Sequence, residues 1–294
     1  MSRFLNEKYA DLEAYTPGEQ PRDKKYIKLN TNESPYPPSP GVLAAVGIPE
    51  LEDLRLYSDP EGMALREKLA TLYGCQPGTV FLSNGSDDIL NFAFMAFAQG
   101  GAVFPGLTYS FYPVFADLHK VPYTTVPLRE DFTLDVDGLC ATGKFTVLAN
   151  PNAPTGIALP RAEVERIVAA NPDRVVVVDE DSVDFGAESA AELIHKHENL
   201  LVVMTYSKSR SMAGARLGFA LASRPVIEDL EKLKYSTNPY NVNRLTLKLG
   251  AAAVDDDTYF RDNARKIMDT REKTPRHSEN WASPCRTPRP TSSL

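Results

Sequence analysis

A lysine, an aspartate and an arginine stand where chemistry could be done. Lys208 lies in Thr205-Tyr-Ser-Lys-Ser-Arg-Ser-Met-Ala-Gly-Ala-Arg216, directly after the apolar run Leu200–Met204. A lysine at the mouth of a buried strand, among small residues, can be held unprotonated and nucleophilic; a solvated surface charge is the ordinary alternative. Ser207 and Arg216 beside it have the donors to grip a phosphate. Asp179 follows Arg174–Val178, an arginine and four valines. A carboxylate at the tip of a buried strand needs a partner or loses its charge. Glu180, Asp181 and Asp184 read as a solvated acidic loop. In Ser83-Asn-Gly-Ser-Asp-Asp88, Gly85 turns the chain into a helix. The N-terminus of that helix offers backbone N–H groups to an anion, although Ser and Asp are also ordinary caps. Asn150-Pro-Asn-Ala-Pro-Thr-Gly156 reads as a rigid turn.

These segments share a position: each follows a short apolar run. Thr79–Leu82, Ala102–Phe104, Tyr123–Val126, Thr146–Leu148, Arg174–Val178, Leu200–Met204 and Leu217–Leu221 read as strands. Glu61–Tyr73, Asp87–Gln99, Arg161–Ala169, Val226–Leu233 and Asn243–Val254 read as helices. Strands alternating with helices predict an α/β fold with a mostly parallel sheet and helices on both faces. Ligands of such sheets sit beyond the carboxyl ends of the strands, which is where the four polar segments fall.

Composition narrows the classes. The chain has 294 residues, 43% hydrophobic and 24% charged, as in a soluble globular protein. A net charge of −7 provides no basic field for nucleic acid or anionic membrane. Cys75, Cys140 and Cys285 are far apart and form no metal spacing or disulfide framework, which suits a reducing compartment. The N-terminus lacks the apolar run of a signal peptide. Ile89 to Ala116 is uncharged and long enough to span a bilayer, but Gly100-Gly101 and Pro105-Gly106 break it into helix, turn and strand.

Taken together, the segments resemble the fold-type I pyridoxal-phosphate aminotransferases, and within them the histidinol-phosphate aminotransferases. The resemblance runs from about Leu29 to about Thr274. It rests on Leu29-Asn-Thr-Asn-Glu-Ser-Pro-Tyr-Pro-Pro-Ser-Pro, Tyr57-Ser-Asp-Pro-Glu-Gly, Asn84-Gly-Ser-Asp, Asn150–Gly156, Asp179-Glu180, Ser207-Lys208 and Gly214-Ala215-Arg216, in that order. It implies a fold-type I transferase with a seven-stranded, mostly parallel sheet, and pyridoxal 5'-phosphate as cofactor. Lys208 would form the Schiff base with the cofactor and shuttle the substrate proton. Asp179 would keep the pyridine nitrogen protonated. Tyr109 would stack on the ring, with core packing as its alternative. Gly85, Ser86, Asp87, Ser207 and Arg216 would hold the phosphate. Tyr57 would reach the phosphate of a neighbouring subunit, making a homodimer, and the Asn32–Pro40 arm would help cover the substrate. The implied substrates are a small-molecule amino donor, histidinol phosphate, and the 2-oxo acid 2-oxoglutarate, in cytoplasmic histidine biosynthesis.

The sequence departs from the family pattern in three places. Ser182 stands where an aromatic hydroxyl usually contacts the cofactor's phenolic oxygen. Ala153 stands at the asparagine that contacts the same oxygen, with Asn152 beside it as a substitute. The tail from Thr274 is polar, proline-rich and aperiodic, where relatives continue into a small domain. The expected organisation is an arm over 1–40, a large cofactor-binding domain over 41–240, an incomplete small α/β domain over 241–274 and a disordered tail over 275–294. In another frame Asn280-Trp281-Ala282 must give Leu-Gly, and permitted codons turn the tail into the opening of the family's small domain. A frameshift near Pro275 is therefore expected, with apolar surface left uncovered near Asn243–Lys266. Competing readings are a phospho-amino-acid decarboxylase of cobalamin synthesis and a non-catalytic remnant. A nucleic-acid regulator would need a DNA-binding module, and the sequence shows none.

Overall fold

The computed structural model describes residues 4–9, 11–18, 27 and 29–278, without the side chains of 275–278. The buried apolar runs form seven strands: β1 (Val80–Ser83), β2 (Ala102–Pro105), β3 (Tyr123–Val126), β4 (Phe145–Ala149), β5 (Val176–Asp179), β6 (Leu200–Thr205) and β7 (Gly218–Ala222). They make one sheet in the order β1-β7-β6-β5-β4-β2-β3. Four neighbouring pairs, β3–β2, β2–β4, β4–β5 and β5–β6, are parallel, while β7 runs antiparallel to both β1 and β6. The helices among the described residues are α1 (Pro40–Ala44), α2 (Ile48–Glu52), α3 (Met63–Tyr73), α4 (Ser86–Phe97), α5 (Phe111–His119), α6 (Val136–Cys140), α7 (Arg161–Ala170), α8 (Arg224–Thr237), α9 (Arg244–Asp255) and α10 (Asp257–Ser278).

Strand pleating explains why the apolar runs are continuous. Val176 and Val178 enter one core cluster with Leu200, Val202 and Ile167. Val177 enters the other with Leu201, Val203 and Phe145. A strand buried on both faces has no polar side to show. Its polar residues can appear only past its ends. Ser83, Pro105, Ala149, Asp179 and Thr205 close their strands at one sheet edge, and reversed β7 begins there with Gly218. That edge carries the site.

The charge-free stretch forms α4, β2 and α5. Among the described residues no helix is long and apolar enough to cross a membrane. Helix α5 is not among the helices expected from sequence; its Tyr112 and Ala116 are fully buried. Helix α10 was also unread. Its sequence is largely polar, and only Phe260, Ala264 and Ile267 mark a buried stripe.

Helix α10 continues through Ser278: once a helix is nucleated, each further residue adds its own bond. The rest of the tail expected to be disordered, residues 279–294, lies outside the described residues. One expectation is corrected: the apolar residues of 243–266 are not left uncovered. Helix α9 packs on α1 and α3, and α10 covers Phe185 and Tyr36 with Ala264, Ile267 and Met268. A run of exposed apolar side chains lies instead at Leu43, Ile48, Leu51, Leu54 and Leu56.

Candidate active site

A cavity of about 610 Å³ opens at the carboxyl edge of the sheet, within the range of small-molecule sites. Ser86, Asp87, Tyr109, Asp179, Ser207, Lys208 and Arg216 line it together. The elements place each of them. Asp179 ends β5, Ser207 and Lys208 follow β6, Arg216 precedes β7, and Ser86 and Asp87 open α4.

The buried carboxylate is half satisfied. Asp179 is 5% exposed, and its Oδ2 accepts from the Tyr112 hydroxyl at 2.9 Å. Its Oδ1 is buried without a partner. Burial pushes this carboxyl well above the usual carboxylate range, and the charge of Asp181 adds to the rise. A cationic N–H placed at Oδ1 would supply both the missing donor and the missing charge. Tyr112, itself fully buried, was not assigned a role from sequence. Its place three residues after Tyr109, inside the first turn of α5, was the available signal.

At the other end of the cavity the backbone makes an anion seat. Gly85 adopts φ +84°, and a Cβ there would meet Arg216 Nη2 at 2.5 Å. The glycine therefore lets the guanidinium close on the N-terminus of α4, although Gly85 itself does not line the cavity. Arg216 Nη2 lies 3.3 Å from Asp87 Oδ2. Asp87 Oδ1 accepts from the Tyr109 hydroxyl at 2.9 Å. Burial, together with the Asp87 charge, pushes the Tyr109 phenol upward, so it stays a neutral donor. The first N–H groups of α4 have no partner within the helix. With Arg216 and Ser207 they offer a phosphate the donors it prefers.

Lys208 Nζ donates to the Thr31 carbonyl at 2.8 Å. Thr31, Asn32, Glu33 and Tyr15 also line the cavity, so the arm covers the mouth. Tyr15 was missed in the sequence because nothing periodic surrounds it. Its ring packs on Phe111 at a tilt of 35°, with centroids 4.3 Å apart.

Several expectations are corrected. Asn152 does not face the cavity; Ala153 does. The Asn152 amide is spent on pinning its own loop, donating to the Leu107 carbonyl at 3.0 Å and to Thr155 Oγ1 at 3.2 Å. Asn150-Pro151 and Ala153-Pro154 are both cis in that loop. Glu180 is buried, not solvated. It accepts from Ala190 N and Ser189 Oγ, each at 2.6 Å. Burial raises its carboxyl to about 8. Asp181 lines the cavity and accepts from Ser182 at 2.7 Å, so the Ser182 hydroxyl turns toward its neighbour and does not line the cavity. Asp184 is exposed, as read. Tyr57, expected to serve a neighbouring subunit, stands outside its own chain's cavity, which does not contradict that expectation; it is 79% exposed and stacked on Tyr240 at 4.6 Å.

This arrangement fits pyridoxal 5'-phosphate. A lysine amine and an unpartnered buried carboxylate oxygen share one cavity with an anion seat, and an aromatic ring lines the wall beside them. The described residues contain no cluster of His, Cys, Asp or Glu that could hold a metal ion.

Comparison with known proteins agrees with that fit. The family model for aminotransferase class I and II matches residues 24–277. The histidinol-phosphate aminotransferase of Brachyspira hyodysenteriae is 48% identical over 277 residues, covering 93% of this chain and 78% of that protein. That of a Marinomonas species is 50% identical over 279 residues, with the same coverage. Among solved structures, histidinol-phosphate aminotransferase from Sinorhizobium meliloti, in complex with pyridoxal-5'-phosphate, has a TM-score of 0.80 at 26% identity, over 90% of this chain and 73% of that one. The Clostridium acetobutylicum enzyme shares the fold, with a TM-score of 0.81 at 18% identity over 89% and 79%.

Proposed function

We propose a function for a chain that belongs to the class I and II aminotransferases, and among them to the histidinol-phosphate aminotransferases: pyridoxal-phosphate-dependent transfer of the amino group of histidinol phosphate to 2-oxoglutarate, in histidine biosynthesis. The single observation that carries it is the buried, unpartnered Asp179 Oδ1 in the same cavity as Lys208. A decarboxylase is not favoured, since the matched relatives are aminotransferases. A remnant without function would have no reason to keep Lys208, Asp179 and Arg216 converging on one cavity.

When bound, pyridoxal 5'-phosphate supplies a ring that accepts the electron pair left as the substrate Cα–H bond breaks. Every other part falls to the chain. Asp179 Oδ1, buried without a partner, would accept from the ring nitrogen and favour its protonated form, while Tyr112 holds Oδ2 and so fixes the carboxylate plane. Lys208 Nζ would be the base that takes the proton from substrate Cα and holds it for return two bonds away. The backbone N–H groups of Ser86 and Asp87, with Ser207 and Arg216, would hold the phosphate, while the Asp87 carboxylate orients Arg216 and Tyr109. Tyr109 would pack beside the ring and exclude water. The arm over Thr31–Glu33 closes the mouth and leaves a path for Lys208 to exchange its bond to Thr31 for one to substrate.

The finer reading is a cytoplasmic homodimer of a large domain over 41–240 with the opening of a smaller one over 241–274. Tyr57 is exposed beside the apolar Leu43, Ile48, Leu51, Leu54 and Leu56. That patch suits a second copy, whose cavity would receive Tyr57.

The test is an absorbance spectrum of purified protein with pyridoxal phosphate, repeated for Lys208→Ala and after adding histidinol phosphate. A visible band that needs Lys208 and shifts with histidinol phosphate is expected. A band indifferent to substrate would overturn the substrate assignment. No band would overturn the enzyme reading.

A further inference from the structure

Four consecutive residues of the lysine loop grip three parts of the fold, two of the residues holding the arm. Lys208 holds the arm at Thr31. Ser209 Oγ donates to Asp184 beyond β5. Arg210 reaches the corner between α9 and α10: Nη1 donates to the Ala253 carbonyl at 2.8 Å and Nη2 to Asp257 Oδ1 at 3.2 Å. Ser211 Oγ meets Ser34 Oγ at 2.8 Å. Of the four, Arg210 is the outlier in chemistry. It is a full charge, 5% exposed, with its guanidinium 4.0 Å from the Phe260 ring centre and 5.3 Å from that of Tyr206.

A buried ion pair adds little net stability, because desolvation offsets its Coulomb gain. What a guanidinium adds is direction: its planar fork fixes two acceptors and a stacking plane at once. Both acceptors are rigid. Ala253 lies in the last turn of α9, where free carbonyls favour a cation, and Asp257 opens α10. The loop needs such a clamp. Ser211 holds φ +58° and Arg216 φ +53°, in the left-handed region that side chains resist.

We propose that Arg210 is a positioning residue for Lys208, clamping the lysine loop to the α9–α10 corner and thereby setting where the amine stands relative to Asp179 and the substrate. The role rests on the aminotransferase reading above. It extends that reading, because α10 also touches the arm, where Tyr259 donates to the Pro37 carbonyl at 3.1 Å, and the segment after β5, where Arg271 Nη1 donates to the Phe185 carbonyl at 3.0 Å. Helix α10 thus touches the lysine loop, the arm and the segment after β5, and Arg210 ties the lysine to it.

The experiment compares Arg210→Lys, Arg210→Met and Asp257→Asn with the parent, all as full chains. Backbone hydrogen exchange without cofactor should quicken at least about tenfold over 207–212 and 31–34, while β5 and β6 keep their protection. With cofactor, kcat should fall about a hundredfold, the cost of roughly an ångström of misplacement, with KM for histidinol phosphate within about threefold. Arg210→Lys should not rescue, since it keeps the charge and loses the fork. If Arg210→Met does not fold, the other two variants carry the comparison. Unchanged local exchange, a kcat within about threefold of the parent, rescue by lysine, or exchange rising across the whole sheet would each overturn the proposal. A parent without a Lys208-dependent band would instead overturn the aminotransferase reading and leave the exchange result standing.

Discussion

Gly218→Ala is a single methyl added at the narrowest contact in the site. Gly218 opens β7 against the N-terminus of α4. A Cβ there would lie 2.4 Å from the Gly85 carbonyl carbon, 2.5 Å from Ser86 N and 2.7 Å from the Gly85 oxygen. All three are backbone atoms, so no rotamer change relieves the clash. Carbon contacts settle near 3.5 Å, so β7 and α4 must part by about 1 Å. Overpacking of this kind costs about 1–3 kcal/mol. Taking ~2 kcal/mol, the melting midpoint should drop by about 4–8 °C. The shift also moves Ser86 N, one of the donors of the anion seat. Affinity for pyridoxal phosphate should therefore weaken about tenfold, or ~1.4 kcal/mol. The assay is a thermal melt followed by an absorbance titration with cofactor. Gly78→Ala is the control, because the nearest atom to a Cβ there is Arg224 Cδ at 4.0 Å. The reasoning fails if Gly218→Ala melts with the parent, if the control falls equally, or if stability drops while cofactor affinity stays unchanged.

Other consequences follow from Glu180 and Tyr57. The Glu180 carboxyl sits at about 8 in the fold and near 4.3 when unfolded. Between those values the folded chain binds more protons, so this group's contribution is full below the lower value and is lost as pH rises toward the higher. Glu180→Gln should therefore flatten the loss of stability between about pH 5 and pH 8 in urea melts; an unchanged slope would contradict the assignment. Mixing Lys208→Ala with Tyr57→Ala subunits should restore about a quarter of parental activity, since half of randomly paired dimers then hold one intact site of two. Mixtures as inactive as either variant alone would show that Tyr57 does not serve a partner's cavity.

How much was legible in the sequence follows from what each residue answers to. Buried strands announce themselves because both faces are apolar, and the residues past their ends are then confined to one edge. That reasoning located Lys208, Asp179 and Arg216 without any tertiary information. Glu180 misled for the same reason that Asp179 did not. A charge beside a strand reads as solvated, and only the later turn at Ser189-Ala190 supplies the donors that allow its burial. Asn152 misled because an amide's direction is set by its own loop, here through Leu107 and Thr155. Tyr112 and Arg210 were unreadable because their partners, Asp179 and Asp257, lie far along the chain. Tyr15 and helix α10 carry too few apolar neighbours to stand out from a polar background.

The reversed strand has a consequence in time as well as in space. Strand β1 bonds only to β7, and Val80 waits for Leu221, about 140 positions later, at about 5–20 residues per second on a ribosome. For roughly 7–28 seconds the growing chain must carry Val80, Phe81 and Leu82 and the apolar face of α4 without their bonding partner. The seat for the anion is thus among the last parts of the sheet to form, and nascent chains arrested before Gly218 should be those most in need of a chaperone.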